Sequence, residues 1–216
     1  AEIPVQDANV PFTELYRTLL PFASTDETRY VLNGVAIDVD KTGTHMVATD
    51  GKRLAAFSTA AMPVPATVIL PHSKFMSWTQ LGAENRIGVS KEGMFRLVSG
   101  PWSYTTKLID GIYPNWRQVV PRSAGANGFE VAEADLRLVE DAVRTLPGGN
   151  DGEKGISLSA HAGALRLSAC DPEVGWSHRD LPNSPCHGEG TAVNRSFLLD
   201  AVRAGFTQFR WQDGRS

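Results

Sequence analysis

Five residues in the second half of the sequence carry side chains that often bind zinc: Cys170, Asp171, His178, Cys186 and His187. A structural zinc site presents its ligands in closely spaced pairs, so that four side chains reach one tetrahedral ion. These five residues lack that paired spacing, and the sequence predicts no bound metal and no cofactor. A metal-dependent enzyme that uses this group stays open as an alternative.

Other short segments resemble catalytic motifs only in part. The sequence His178-Arg179-Asp180 is similar to a kinase catalytic loop, but Pro185 stands where that loop needs asparagine. The glycine-rich segment 148–155 lacks the spacing of a phosphate-binding Walker loop. No local motif pairs a nucleophile with a base. The sequence therefore predicts a protein that is not an enzyme.

Two segments in the first half carry groups suited to binding. The sequence TDGKRL at residues 49–54 has the Asp-Gly chemistry of a tight turn between strands, and that turn is its simplest interpretation. Arg29 and Tyr30 follow the acidic pair Asp26 and Glu27. An exposed arginine beside an aromatic ring can pair with phosphate and stack on a base, but both residues are also ordinary at the start of a strand.

Hydrophobic periodicity indicates the elements that position these segments. Apolar residues three and four apart predict helices at residues 11–21, 73–82, 132–146 and 195–204. Alternating or short apolar runs predict strands at residues 30–39, 45–48, 53–58, 67–70, 86–90, 94–99, 103–109, 129–131, 155–158, 164–169, 175–181, 191–193 and 208–212.

The predicted elements recur as a βαβββ unit. The first three units are complete, and the fourth lacks about two strands. This order predicts an α+β fold in two domains, residues 1–121 and 129–216, joined by a small-residue linker at 122–128.

Composition narrows the class of protein. The chain has 216 residues, 42% hydrophobic and 21% charged, which is typical of a globular protein. Its net charge of −3 gives no overall positive field for nucleic acid, although a local positive surface remains compatible with it. No apolar run approaches the roughly 18 residues that span a bilayer. Two cysteines favour a reducing compartment, and we expect the cytoplasm.

Four motifs resemble one family, the bacterial DNA sliding clamp, which is the β subunit of DNA polymerase III. The segments RYVLNGVAIDV (29–39), ATDGKRLA (48–55) and KLIDGIYPNWRQVVP (107–121) resemble its second domain in order and spacing. The segment AVNRSFLLDAV (192–202) resembles its third domain. The resemblance covers nearly the whole chain and implies a clamp fold built from repeated βαβββ units.

The resemblance implies a non-enzymatic processivity factor that tethers a polymerase to duplex DNA without reading its sequence. It also implies a groove that docks short peptides of polymerases and the clamp loader. The alternative is a clamp-fold protein that keeps the groove but does not encircle DNA.

The same resemblance implies the residues of both surfaces. Gln118 stands where the family commonly has arginine. DNA contact is implied for Arg29, Tyr30, His72 and Lys74. The groove residues are Leu32, Thr49, Gly51, Lys52, Arg53, Leu54, Pro114, Gln118, Val119, Asn194 and Phe197.

Family members carry three domains. Compared with them, the chain starts at the second domain and stops before the last strands of the third. A fragment and a natural two-domain clamp both stay open. We expect the three-domain parent to form a homodimeric ring, and we expect this chain to be mainly monomeric because the missing strands would leave a sheet edge unpaired.

Overall fold

The computed structural model describes residues 3–41, 43–121, 125–148 and 154–212. The chain divides into two compact units, Ala1–Gln118 and Val119–Ser216. Of the segment expected to be a linker, residues 122–124 lie outside the described residues, and a strand already begins at Asn127. Over the described residues, no helix is long and apolar enough to cross a membrane.

The first unit packs a helix against two antiparallel sheets. One sheet has the strand order β1-β6-β7-β8, and the other has the order β4-β3-β2-β5. The elements are β1 (Gln6–Asp7), α1 (Phe12–Leu19), β2 (Gly34–Asp40), β3 (Gly43–Thr49), β4 (Leu54–Thr59), β5 (Val68–Pro71), β6 (Arg86–Val89), β7 (Met94–Ser99) and β8 (Trp102–Lys107), with 3₁₀ turns at Leu20–Phe22, Glu27–Leu32 and Trp116–Gln118.

Helix α1 forms because its apolar residues share one face. Phe12, Tyr16 and Leu19 are fully buried, and the Phe12 ring lies 5.5 Å from that of Phe95 on β7. The Tyr16 hydroxyl donates to the Pro71 carbonyl at 2.6 Å and accepts from the Ser73 amide at 2.9 Å. Burial raises the pKa of Tyr16 above its ordinary value. The helix thereby fixes the chain where β5 ends.

The strand expected at residues 30–39 begins later than the sequence predicts. Residues Glu27–Leu32 form a 3₁₀ turn, and β2 starts at Gly34. The turn forms because the Asp26 carboxylate accepts from the amide and the hydroxyl of Thr28, at 2.9 and 2.7 Å. Arg29 and Tyr30 therefore lie on a turn rather than on a strand.

The helix expected at residues 73–82 does not form, and this expectation was wrong. The amides of Trp78 and Leu81 donate to carbonyls three residues earlier, so the segment is a series of turns. Its aromatic side chains pack instead on the edge strand β8: the Phe75 ring stacks on that of Tyr104 at 4.9 Å. Tertiary aromatic packing overrides a helical spacing here.

The second unit packs two helices on one six-stranded antiparallel sheet of order β13-β10-β11-β12-β9-β14. Its buried core joins both helices to the sheet through residues such as Val139, Leu167 and Leu198. The elements are β9 (Asn127–Glu130), α2 (Leu136–Thr145), β10 (Gly155–His161), β11 (Ala164–Asp171), β12 (Gly175–His187), β13 (Thr191–Asn194), α3 (Arg195–Arg203) and β14 (Gln208–Trp211), with a 3₁₀ turn at Glu133–Asp135 before α2.

Two buried charged residues connect the elements of the second unit. Asp135 accepts from the Asn183 amide at 2.9 Å and from the Ser184 hydroxyl at 2.8 Å, so it holds the start of α2 to β12. Arg195 is 1% exposed and donates to the carbonyls of Val143 at 3.0 Å and Leu146 at 3.2 Å, near the end of α2. A buried arginine at a helix C-terminus satisfies carbonyls that the helix leaves unpaired.

Candidate functional site

The predicted turn at residues 49–54 joins β3 to β4 and is closed by its own side chains. The Thr49 hydroxyl donates to the Arg53 carbonyl at 2.6 Å and accepts from the Gly51 amide at 3.1 Å. One oxygen of the Asp50 carboxylate accepts from the amides of Lys52 at 2.8 Å and Arg53 at 3.0 Å. The backbone of the turn is therefore fixed without any ligand.

Arg53 connects this turn to the segment that follows α1. Its Nε donates to Asp50 at 3.1 Å, and its Nη2 donates to the Pro21 carbonyl at 2.8 Å. The guanidinium carbon also lies 5.1 Å from the centre of the Phe22 ring, a cation–π contact. The Arg53 and Asp50 side chains are only 18% and 20% exposed. Arg53 thus holds the turn in place as well as lying on the candidate docking surface.

An apolar cluster lies beside the turn. Leu32 is buried with Ala36, Val47, Ile69 and Tyr113, and Leu54 packs against them while staying partly accessible. Burial raises the pKa of the Tyr113 phenol above its ordinary value, despite an opposing contribution from the Thr49 backbone. Of the other groove residues in this unit, Gly51, Lys52, Pro114 and Gln118 are exposed. The first unit therefore brings an apolar floor next to exposed polar groups.

Gly51 has a conformation that favours glycine. Its φ is +86°, and a Cβ at this position would lie 2.7 Å from Nη1 of Arg29. The same nitrogen of Arg29 lies 3.4 Å from the Asp50 carbonyl oxygen, within donating distance. Arg29, expected at the DNA surface, therefore also contacts the turn expected to bind peptide.

In the second unit, the three expected groove residues differ in exposure. Val119 is 70% exposed, and Phe197 is partly buried on α3. Asn194 caps α3: its side-chain oxygen accepts from the amides of Ser196 at 2.9 Å and Phe197 at 3.4 Å. The Asn194 side chain thus has a local structural role that the sequence interpretation did not include.

The four residues expected to contact DNA are all exposed. Tyr30 is 57% exposed, and Arg29 forms a loose ion pair with Asp26 at 3.8 Å. Hydrogen bonds from the side chain and then the backbone of Thr28 lower the pKa of Asp26 below its ordinary value, with a smaller contribution from Arg29. The His72 amide donates to the Asn33 carbonyl at 3.2 Å, so the end of β5 lies next to the Glu27–Leu32 turn. Lys74 follows two residues later.

The residues considered for zinc do not assemble into a site. Across residues 3–41, 43–121, 125–148 and 154–212, no group of three or more His, Cys, Asp or Glu side chains could hold a metal ion. Cys170 is exposed and Cys186 is buried, and burial raises the pKa of the Cys186 thiol. Of the glycine-rich segment, residues 149–153 lie outside the described residues.

Two residues that organise these surfaces were not among the predicted site residues. Asp50 anchors the turn that the Asp-Gly pair predicts, because its carboxylate accepts from the amides two and three residues later. Arg117 anchors the segment that carries Pro114 and Gln118, and it donates to Asp38 on β2. No local pattern indicated that contact, because the two residues are distant in sequence.

The sequence matches known proteins over most of its length, including the 49–54 turn. Residues 13–115 match the family described as the central domain of the DNA polymerase III beta subunit. The beta sliding clamp of Pseudomonas aeruginosa is 32% identical over 195 residues, which covers 86% of this chain and 52% of that protein. The beta sliding clamp of Pseudomonas putida is 29% identical over 198 residues, with the same coverage of 86% and 52%. The chain spans about half the length of these relatives.

Solved structures agree with this match. The sliding clamp (DNA polymerase III subunit beta) of Bartonella birtlesii, solved bound to griselimycin, superposes with a TM-score of 0.76 at 26% identity, covering 99% of this chain and 61% of that chain. The DNA polymerase III subunit beta of Pseudomonas aeruginosa gives a TM-score of 0.74 at 27% identity, covering 95% of this chain and 58% of that chain. The predicted α+β clamp fold is confirmed.

Proposed function

This chain belongs to the bacterial beta sliding clamp family, and on that premise we propose that it is part of a processivity factor that tethers DNA polymerase to duplex DNA. The observation that carries the proposal is the match of residues 13–115 to the central domain of the family, because this region contains the 49–54 turn and Leu32. Tethering is mechanical, so the proposed activity is not enzymatic. We place it in the cytoplasm.

The first unit offers a docking surface for short peptides of polymerases and the clamp loader. An apolar peptide anchor covers Leu32, Leu54 and Pro114, while the exposed residues Gly51 and Lys52 contact the extended part of the peptide. Thr49 and Arg53 keep the turn in shape, and Gln118 adds a polar contact. A rigid surface of this kind favours binding because little conformational entropy is lost. For the second unit, we propose peptide contact by Val119, Asn194 and Phe197.

The proposed DNA surface of the first unit consists of Arg29, Tyr30, His72 and Lys74. Two of these residues are cationic, and phosphate contacts carry no sequence information, which suits a protein that slides. For the three-domain parent we propose a homodimeric ring around duplex DNA. For this 216-residue chain we propose a mainly monomeric state.

Titration calorimetry with a synthetic peptide tests the docking function. The peptide carries a glutamine and terminal leucine and phenylalanine anchors. We expect one site of micromolar affinity, corresponding to about −8 kcal/mol. The change Leu54→Asp should weaken binding more than about tenfold, because an unpaired charge would be desolvated among apolar contacts.

A matched control is Leu136→Asp, which places the same charge on a partly buried leucine of the second unit. Its effect on peptide affinity should be much smaller than that of Leu54→Asp, provided that circular dichroism shows both variants folded. Equal affinities for the wild-type chain and Leu54→Asp would overturn the proposed surface.

A further inference from the structure

A cluster of charged and aromatic side chains holds the segment that follows Tyr113 against β2. Asp38 and Asp40 alternate along β2, so their side chains lie on the same face of the sheet. The Arg117 guanidinium donates to Asp38 and forms an ion pair with Asp40 at 2.7 Å. The Trp116 indole also donates to Asp38, at 2.8 Å. These four residues are called the Arg117 cluster below.

Both oxygens of the Asp38 carboxylate are engaged. One accepts from Trp116 and Arg117, and the other accepts from the Thr67 hydroxyl at 2.8 Å. Thr67 in turn accepts from the Val39 amide at 3.2 Å, which connects the cluster to the backbone of β2. Asp38 therefore has a fixed orientation, and it fixes the orientation of the two side chains that donate to it.

The Trp116 ring is held on two further sides. The Arg117 guanidinium carbon lies 4.3 Å from the ring centre, a close cation–π contact. The ring of His45 on β3 meets Trp116 edge-on at 5.5 Å, and Nδ1 of His45 lies 3.1 Å from the Ser58 hydroxyl oxygen on β4. The cluster is thus attached to three neighbouring strands of one sheet.

Partial burial makes these contacts stronger than those of an ordinary surface ion pair. The side chains of Arg117, Asp38 and Asp40 are 33%, 17% and 32% exposed. Exposed pairs contribute little to stability, whereas removing one partner of a shielded pair leaves the other charge poorly solvated. Lysine cannot replace arginine here, because it lacks the planar fork that reaches two carboxylates and stacks on an indole.

The cluster and Tyr113 hold the same short segment at its two ends. Tyr113 is 8% exposed and packs with Leu32 and Val47. Pro114 lies between Tyr113 and the Trp116–Gln118 turn, and Gln118 follows Arg117 directly. The positions of Pro114 and Gln118 therefore depend on the anchors at Tyr113, Trp116 and Arg117.

We propose that Arg117 is a positioning residue for peptide docking: paired with Asp38 and Asp40, it fixes Pro114 and Gln118 where a bound peptide meets them. The inference rests on the proposed function. Arg117 does not itself contact the peptide. By holding the segment in place before the peptide binds, Arg117 reduces the conformational entropy that the segment loses on binding.

Peptide titration of a double-mutant cycle tests this role. The variants are Arg117→Ala, the pair Pro114→Ala and Gln118→Ala, and all three changes together. We expect Arg117→Ala to weaken binding about fivefold, and to weaken it much less once Pro114 and Gln118 are already changed. A purely structural role predicts additive effects, so additivity would overturn the inference.

Two further variants keep the test decisive if Arg117→Ala does not fold. Arg117→Lys keeps the charge, and Asp40→Asn removes only the second ion pair. Each should weaken peptide binding about two- to threefold, because part of the anchoring is lost. The matched control is Arg166→Ala, which breaks the Arg166–Asp180 pair of the second unit at 2.6 and 2.8 Å. Its peptide affinity should equal that of the wild-type chain.

The outcomes separate this inference from the proposed function. If the wild-type chain binds peptide and the Arg117 and Asp40 variants bind it equally well, Arg117 has no positioning role and the docking function stands. If the wild-type chain does not bind peptide, the docking function fails, and this inference fails with it.

Discussion

The two surfaces proposed for the first unit differ in how firmly the protein holds them. In the 49–54 turn, Thr49, Asp50 and Arg53 are tied to one another and to the Pro21 carbonyl by hydrogen bonds of 2.6 to 3.1 Å. The side chains proposed to meet DNA are exposed, and the ion pair of Arg29 with Asp26 is long at 3.8 Å.

This difference suits the two proposed ligands. A short peptide binds through a few contacts, so it benefits from a surface whose shape is fixed in advance. A protein that slides along a duplex is better served by exposed charges, because these form and break phosphate contacts without a preferred register. The comparison predicts that peptide binding is sensitive to changes that loosen the fold, whereas DNA binding is sensitive mainly to charge.

Among changes that loosen the fold, the largest effect is expected from Asp50→Ala. This change removes the acceptor for the amides of Lys52 and Arg53 and the partner of the Arg53 side chain. Peptide affinity should fall about tenfold, because losing hydrogen bonds to a charged group costs about 1.5 kcal/mol or more. Titration calorimetry measures the affinity, and thermal unfolding measures the accompanying loss of stability.

Asp50→Asn is the matched control for that change. Its side-chain oxygen can still accept from the two amides, but the ion pair with Arg53 is lost. Its affinity should lie between those of Asp50→Ala and the wild-type chain. A wild-type affinity in both variants would show that the turn need not be fixed for peptide to bind.

Peptide binding should depend on pH only in the strongly acidic range where Asp38 becomes protonated. Burial tends to raise the pKa of Asp38, but hydrogen bonds from Arg117, Trp116 and Thr67 outweigh it, so the pKa lies below its ordinary value of 3.8. A carboxylate with a lowered pKa contributes stability that is present above its unfolded-state value and is lost as the pH falls through the folded-state value.

The affinity of the peptide should therefore change by less than about twofold between pH 7 and pH 5, and it should decline below pH 3.8. Calorimetric titrations across this range, with a peptide that carries no ionisable side chain, measure the profile. An affinity that stays unchanged well below pH 3.8 while the protein remains folded would contradict the role given to Asp38.

The smallest effects are expected for DNA. Arg29→Ala and Lys74→Ala should each weaken the binding of a short duplex about two- to threefold and reduce the slope of log affinity against log salt by about 1. Fluorescence anisotropy at several salt concentrations measures both quantities. The control Lys91→Ala removes an exposed lysine on the turn between β6 and β7 and should leave the slope unchanged.

Local chemistry made part of this fold predictable from sequence. Asp50 and Gly51 indicated the turn between β3 and β4, and the turn is present. The helical spacing at residues 195–204 indicated α3, and Asn194 supplies the side-chain cap that starts it. In both places, a side chain accepts hydrogen bonds from backbone amides within three positions, so the local sequence is enough to predict the turn and the start of the helix.

The features that sequence did not indicate depend on distant partners. Segment 73–82 has helical spacing, but Phe75 stacks on Tyr104 and Trp78 packs against Trp102 at 5.4 Å, and turns result. In the sequence, Arg195 and Asp135 look like ordinary helix residues. In the structure, both are buried and connect neighbouring elements. The contact of Arg117 with Asp38 has the same origin, because only the folded chain brings the two together.

The most direct test of two separable surfaces is one crossed titration. Wild-type chain, Leu54→Asp and Lys74→Ala are each titrated with the peptide and with a short duplex under identical salt. We predict that Leu54→Asp loses more than about tenfold in peptide affinity and keeps its duplex affinity, while Lys74→Ala shows the reverse pattern at about two- to threefold. If either variant loses both affinities to the same extent while remaining folded, the two surfaces are not separable; if neither ligand binds the wild-type chain, the proposed function is wrong.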